Sequence, residues 1–314
     1  MHSPTRQLSL LSTMICARDY NALSLAQPTD FRAMLKSGEL LLGTQCRIPH
    51  EEAARVVAAT PFQFCLIDAE HTPLNATLLA SLIRTVQYHS NGSMVPFVRI
   101  PGSNPDLVNH ALNAGAGGVV MPHIQNAQQA SRLADLARFP PRGNRSFPPA
   151  ALVGENQFAT PEGTSVFDVW NENVAVFCQI EDVEGVKNIE EICQVPGIDG
   201  ILVGTGDLRM SLGLESGSLD GDEEIFTQAL QQIRQATSMH GLPVMGFGSN
   251  PQLIERRIQI GWQALIVHAD FSSIYSSAVA TISSCEGILA RVKDTSHGSV
   301  RTKLDSRNGT TNGH

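Results

Sequence analysis

The amino-acid sequence predicts an α/β protein whose strands close into a (β/α)8 TIM barrel, a ring of parallel strands wrapped by helices. Three observations point there. Short runs rich in β-branched and aromatic residues, with little polar alternation, recur along the chain as strands buried on both faces do. Amphipathic segments at helical spacing separate them, the pattern of repeated βα units. No shift in composition marks a second domain, and no G-x-G-x-x-G follows the first strand, which disfavours an open doubly wound sheet.

In chain order, 31–42 reads as a short helix followed by a strand through Leu40–Gly43. A small amphipathic helix spans Glu51–Ala59, the second strand Phe64–Asp68 and the next helix Leu74–His89. The third strand is Val95–Arg99, broken by Pro101 and Pro105 before a helix over Asp106–Asn113, which Gly115 ends. The fourth strand is Gly118–Met121, with a helix over Asn126–Arg138. A long connection, Phe139–Asn173, follows; structureless loops of that length are uncommon in a compact domain and tend to be functional. Val176–Glu181 and Ile201–Asp207 are the fifth and sixth strands, with a helix over Glu184–Gln194 between them. Then come a helix over Glu223–His240, a strand over Pro243–Phe247, a helix over Pro251–Ile260, a strand over Ala264–Val267 and a last helix over Ser272–Val292. Residues 1–30 read as a disordered extension, 31–292 as the barrel and 293–314 as a disordered polar tail.

Composition narrows the function classes. With 42% hydrophobic residues in 314, the chain can bury a full core. A net charge of −8 argues against nucleic acid or an anionic membrane as partner. No run approaches the roughly 18 apolar residues of a membrane span. Six cysteines without C-x-x-C spacing, two of them (Cys65 and Cys178) inside predicted strands, suit a reducing, cytoplasmic compartment. The acid-free start, with Arg6 and Arg18, leaves a mitochondrial targeting segment as the alternative.

On this fold, functional groups gather at the carboxyl ends of the strands. Glu181 and Asp207 close two successive parallel strands, about 4.8 Å apart, so they are placed to share one divalent cation. Hard oxygen ligands suit Mg2+ or Mn2+, with Co2+ or Zn2+ as further candidates. The plainer role of such acids is to cap the helices that follow. Gln179 shares the strand face of Glu181 and is placed to donate to a keto oxygen. Asp68 and His71 after the second strand read as an acid–histidine dyad, and Glu70 as a helix-dipole acid. Arg99, ending a buried strand, must face an acid, a ligand or solvent, and is placed to stabilise an oxyanion. The turn Gly204–Thr205–Gly206–Asp207 offers backbone N–H groups to a carboxylate. Together these groups describe a bound 2-oxo acid whose neighbouring carbon–carbon bond is formed or broken. No lysine lies at this rim, so a Schiff base is disfavoured.

At these residues the chain resembles the metal-dependent HpcH/HpaI aldolase/citrate lyase family. The resemblance rests on Leu66–His71, Val98–Arg99, Pro140–Arg145, Gln179–Glu181 and Gly200–Leu208, in the right order across about 31–284. It implies a barrel of the phosphoenolpyruvate/pyruvate-binding type, assembled as a hexamer or trimer with the last helix exchanged between neighbours. It implies a divalent metal on Glu181 and Asp207, His71 with Asp68 as acid/base pair, and Arg99 near the keto or aldehyde oxygen. Thr205, Gly206, Asp207 and Gln179 would hold the 2-oxo acid. The implied reaction is reversible cleavage of a 4-hydroxy-2-oxo acid to pyruvate, or a similar 2-oxo acid, and an aldehyde through a metal-stabilised enolate. A lyase acting on an acyl-CoA ester, of the malyl- or citramalyl-CoA branch, and a non-catalytic barrel that binds a 2-oxo acid are the alternatives. The chain departs from the family's usual pattern at Thr205, Arg209, His268 and Ser146. Arg209 and His268 are candidates to recognise a second acidic group.

Overall fold

The computed structural model describes residues 27–150, 152–153, 160–215 and 217–305. Eight strands pair in parallel in chain order and close on themselves. They are β1 (Leu41–Cys46), β2 (Phe64–Asp68), β3 (Val95–Arg99), β4 (Gly118–Met121), β5 (Ala175–Ile180), β6 (Gly200–Val203), β7 (Val244–Phe247) and β8 (Ala264–Ala269). The helices are α1 (Phe31–Lys36), α2 (Glu51–Ala58), α3 (Ala76–His89), α4 (Leu107–Asn113), α5 (Ala127–Ala137), α6 (Val166–Asn173), α7 (Val183–Lys187), α8 (Ile189–Cys193), α9 (Thr205–Ser211), α10 (Glu224–Met239), α11 (Pro251–Gln259) and α12 (Asp270–Asp305).

The two faces of each strand make two cores, because side chains alternate along a strand. Phe64, Leu66, Val95, Phe97, Val120, Ala175, Phe177, Leu202, Met245 and Ile266 fill the inside of the ring, with Phe31, Met34 and Leu35 of α1 packed against them. The alternate residues, among them Cys65, Ile67, Val98, Val119, Cys178, Ile180 and Val203, face the helices. Glycine makes room for the inner aromatic layer. A side chain at Gly43 would run into the Phe64 ring, and one at Gly200 into the Phe177 ring. Continued by two residues, the inward positions run 64, 66, 68 on β2 and 95, 97, 99 on β3. The inward face thus turns from aromatic to ionic at the carboxyl-terminal rim, where Asp68 and Arg99 stand side by side in register.

Several boundaries differ from those expected of the sequence. β1 and β8 run on to Cys46 and Ala269, carrying Thr44, Gln45 and His268 into the sheet. The long connection is not structureless. It contains α6, begun by a capping box in which Ser165 and Asp168 satisfy each other's backbone N–H groups. The single helix expected over Glu184–Gln194 is two short ones, α7 and α8. The turn expected at Gly204–Asp207 opens helix α9 instead. The last helix does not stop at Val292 but continues to Asp305. Residues 1–26 and 306–314, for which disorder was expected, lie outside the described residues. By compactness the chain falls into two units, 1–270 and 271–314. The first is the barrel; the second is α12 beyond its first residue, together with the carboxyl-terminal tail.

Candidate active site

Asp68 is fully buried and sits at the centre of a network. Arg99 clamps it with two bonds, Nε to Oδ1 at 2.9 Å and Nη2 to Oδ2 at 2.6 Å. Gln45 Nε2 donates to Oδ2 at 3.2 Å, and Arg47 Nε lies 3.5 Å from the same oxygen. The main-chain N–H groups of Glu70 and His71 donate to Oδ1 at 3.2 and 3.3 Å. Burial pushes the Asp68 carboxyl up, but its bonds to Arg99 and that residue's charge outweigh it and hold the group below the usual carboxylate range. Burial likewise disfavours the Arg99 cation, and the Asp68 bonds, with Glu70 and Glu181 beyond, raise it above its ordinary value.

These contacts revise the expected dyad. Asp68 meets His71 through its backbone, while the imidazole faces another acid, its Nε2 lying 3.7 Å from Glu70 Oε2. Glu70 is not at a helix start: α3 begins six residues later, with Asn75 as its cap. Instead Glu70 Oε2 lies 3.3 Å from Arg99 Nε and so stands between Arg99 and His71. The His71 side chain is 52% exposed.

Across the mouth, Glu181 leaves the end of β5 and is 2% exposed. Gln179 Nε2 donates to its Oε2, as the shared strand face required. Its Oε1 accepts the His123 backbone N–H at 2.8 Å and lies 3.3 Å from His123 Nδ1. Burial raises the Glu181 carboxyl above its ordinary range; Gln179 and His123 oppose this, and the charge of Asp207 adds to it. Asp207 lies in the first turn of α9, just past the end of β6, the strand that pairs with β5. Gly204 explains how β6 comes so near. A β-carbon there would collide with Glu181 Oε2 and lie 2.7 Å from Glu181 Cβ. Thr205 is buried and opens α9; Gly206 and the exposed Asp207 follow in its first turn.

Two polar atoms here have no partner. Gln179 Oε1 and Thr205 Oγ1 are buried without a hydrogen bond, which in a native interior calls for a ligand or water. With Glu181 buried at the end of β5 and Asp207 at the start of α9 after the next strand, the donor set fits a hard divalent cation, whose charge would offset the desolvation of the Glu181 carboxylate. No cluster of three or more His, Cys, Asp or Glu side chains placed to hold a metal occurs among the described residues.

Sequence reasoning overlooked Gln45 and His123 and gave Glu70 the wrong role. Gln45 has the inward strand parity and would have been found had β1 been drawn to its full length. His123 follows the fourth strand as Asp68 and Glu181 follow theirs, but its left-handed backbone (φ 54°) leaves no mark in the sequence. Arg209 is not available for a second acidic group. It is 3% exposed, clamps Glu223 with bonds of 2.6 and 2.7 Å and lies over the Phe226 ring. His268 Nδ1 lies 2.8 Å from Thr44 Oγ1.

The family profile of the HpcH/HpaI aldolase/citrate lyase proteins matches residues 49–261. A 2-dehydro-3,6-dideoxy-6-sulfogluconate aldolase of Pseudomonas putida is 28% identical over 246 residues, 78% of this chain and 92% of the relative. A 4-hydroxy-2-oxo-heptane-1,7-dioate aldolase of Shigella sonnei (strain Ss046) is 29% identical over 252 residues, 80% of this chain and 92% of the relative. The crystal structure of macrophomate synthase superposes with a TM-score of 0.74 at 28% identity, covering 91% of this chain and 98% of that one. With the profile spanning α2 to α11 and the ionic rim in place, the chain belongs to the HpcH/HpaI aldolase/citrate lyase family.

Proposed function

We propose that this protein is a carbon–carbon lyase, a divalent-metal-dependent aldolase that reversibly cleaves a 4-hydroxy-2-oxo acid to pyruvate, or a similar 2-oxo acid, and an aldehyde. The observation that supports this reading is that the Asp68–Arg99–Glu70 network, Glu181 and Asp207 all follow the carboxyl ends of strands of one closed parallel ring. Glu181 and Asp207 would hold the cation, Mg2+ or Mn2+ by the hardness of the donors, with Co2+ or Zn2+ as alternatives. When bound, the cation supplies Lewis-acid polarisation of the 2-oxo group. Thr205 Oγ1 and the first backbone N–H groups of α9, at Gly206 and Asp207, would bind the substrate carboxylate, and Gln179 orients Glu181.

In cleavage the C4 hydroxyl must lose its proton as the C3–C4 bond breaks. His71 takes that proton, with the Glu70 carboxylate 3.7 Å from its Nε2. Arg99, locked by Asp68, turns a fixed positive charge toward the oxygen that gains charge. Asp68 acts through Arg99 and through the loop that carries His71.

Removing metal with EDTA is expected to abolish pyruvate release, and Mg2+ or Mn2+ to restore it in the wild type but not in Glu181→Gln. Turnover that ignores EDTA would refute the metal role. The buried free thiols of Cys46, Cys65, Cys178 and Cys193 support a cytoplasmic location. The long helix α12 supports a homo-oligomer, hexamer or trimer: Ile274, Tyr275, Ile282, Leu289 and Val292 are all exposed along it.

A further inference from the structure

We propose that the groove on the outer layer of the barrel between α10 and α11 binds an amphipathic anion, a carboxylate carried on a hydrocarbon chain, with Arg234 at its charged end. Thr227, Leu230, Gln231, Arg234, Gln235 and Ser238 recur at helical spacing along one face of α10 and line a cavity of about 470 Å³. Arg256, Arg257 and Ile260, at the end of α11, line it from the other side, and Asp220 is the one carboxylate in its wall among the described residues. A second cavity, of about 320 Å³, adjoins it, since Arg234 and Ser238 line both. Lys36 and Gln263 line the second, and no carboxylate does among the described residues.

The chain as a whole carries a net charge of −8, yet this groove gathers cations. Arg256 is balanced, held by Asp220 at 2.9 Å and by Asp222 at 2.6 Å. Arg257 shares Asp220 with it, at 3.2 Å, and is 1% exposed. Burial pushes the Arg257 cation below its ordinary value; Asp220 opposes this, and the charge of Arg256 adds to it. Arg234 and Lys36 have no ion pair among the described residues. The groove is therefore short of negative charge.

Arg234 is also fixed in place. Its Nε donates to the Ile260 carbonyl at 3.0 Å, bridging from α10 to the end of α11, and its Nη1 donates to Ser238 Oγ. Gly261 makes room for it: a β-carbon there would lie 2.8 Å from Nη2. Both acceptors are neutral, so the charge of Arg234 is left for a carboxylate. On the larger side, Leu230 and the 38%-exposed Ile260 offer carbon to a chain. An inorganic anion would leave those walls bare, and a hydrocarbon would leave Arg234 unmatched. A carboxylate on a chain satisfies both.

The test is calorimetric titration of octanoate, hexanoate and 1-octanol into wild type, Arg234→Gln, Arg234→Lys and Glu181→Gln. We expect wild type to bind octanoate about tenfold more tightly than hexanoate, which buries two methylenes fewer, and than 1-octanol, which lacks the charge. Arg234→Gln should bind octanoate about tenfold more weakly, and Arg234→Lys within about threefold of wild type. Glu181→Gln should bind it as wild type does, which sets the site apart from the mouth of the barrel. Equal octanoate affinity in wild type and Arg234→Gln, equal affinity for octanoate and either hexanoate or 1-octanol, or loss of binding in Glu181→Gln would overturn the site. So would the absence of binding to wild type, the outcome if a second copy of the chain covers the groove. None of these readouts involves turnover, so the aldolase reading stands or falls separately.

Discussion

At the scale of single residues, the site depends on one missing side chain as much as on those present. Gly204 lets β6 run against Glu181, and any β-carbon there must displace the carboxylate or the strand. Gly204→Ala is expected to cost about 1–3 kcal/mol in urea unfolding, the usual penalty of overpacking a tight interior. It should also weaken Mn2+ binding about tenfold by calorimetry. Unchanged Mn2+ affinity would separate Gly204 from the carboxylate pair. Position at the carboxyl ends of the strands made Asp68, Arg99 and Glu181 legible, and strand parity added Gln179, because residues two apart on a strand share a face. Counting does not say which partner a side chain takes. Asp68 was expected on the His71 ring and is taken by Arg99, since the two stand in register on adjacent strands.

At the scale of elements, α9 and α10 are joined by the Arg209–Glu223 clamp. The Arg209 hydrogen bond pulls Glu223 down to about 2, from an ordinary value of 4.5. The folded state binds its proton less readily than the unfolded chain. The pair's stabilisation is therefore complete above about pH 4.5 and fades as the pH falls toward 2. Glu223→Gln is expected to lower the melting temperature at pH 7 and to narrow the gap from wild type between pH 4.5 and 2. A gap that does not change with pH in that range would deny the clamp its charge. The segment holding α6 shows where element reading failed. Its Ser165-x-x-Asp168 signal was present, but it lies inside a Pro- and Gly-rich stretch where periodicity is broken.

At the scale of the whole molecule, the barrel is the part most fully written in the sequence, and the proposed assembly is tested on α12. Ile274, Tyr275, Ile282 and Leu289 recur at helical spacing on an exposed face, a pattern that calls for a covering partner. Ile282→Asp is expected to shift sedimentation from an oligomer toward the single chain. A wild type that sediments as a single chain would refute the oligomer. From the sequence alone come eight strands alternating with helices, their closure into a ring, and the rim on which charged groups collect. These follow from periodicity, which is local. Tertiary structure alone decided that Glu70 faces His71, that Arg209 is spent on Glu223 and that His123 turns its backbone onto Glu181. Those pairings depend on how loops cross the mouth of the ring and where side chains meet in space, and no spacing along the chain carries that information.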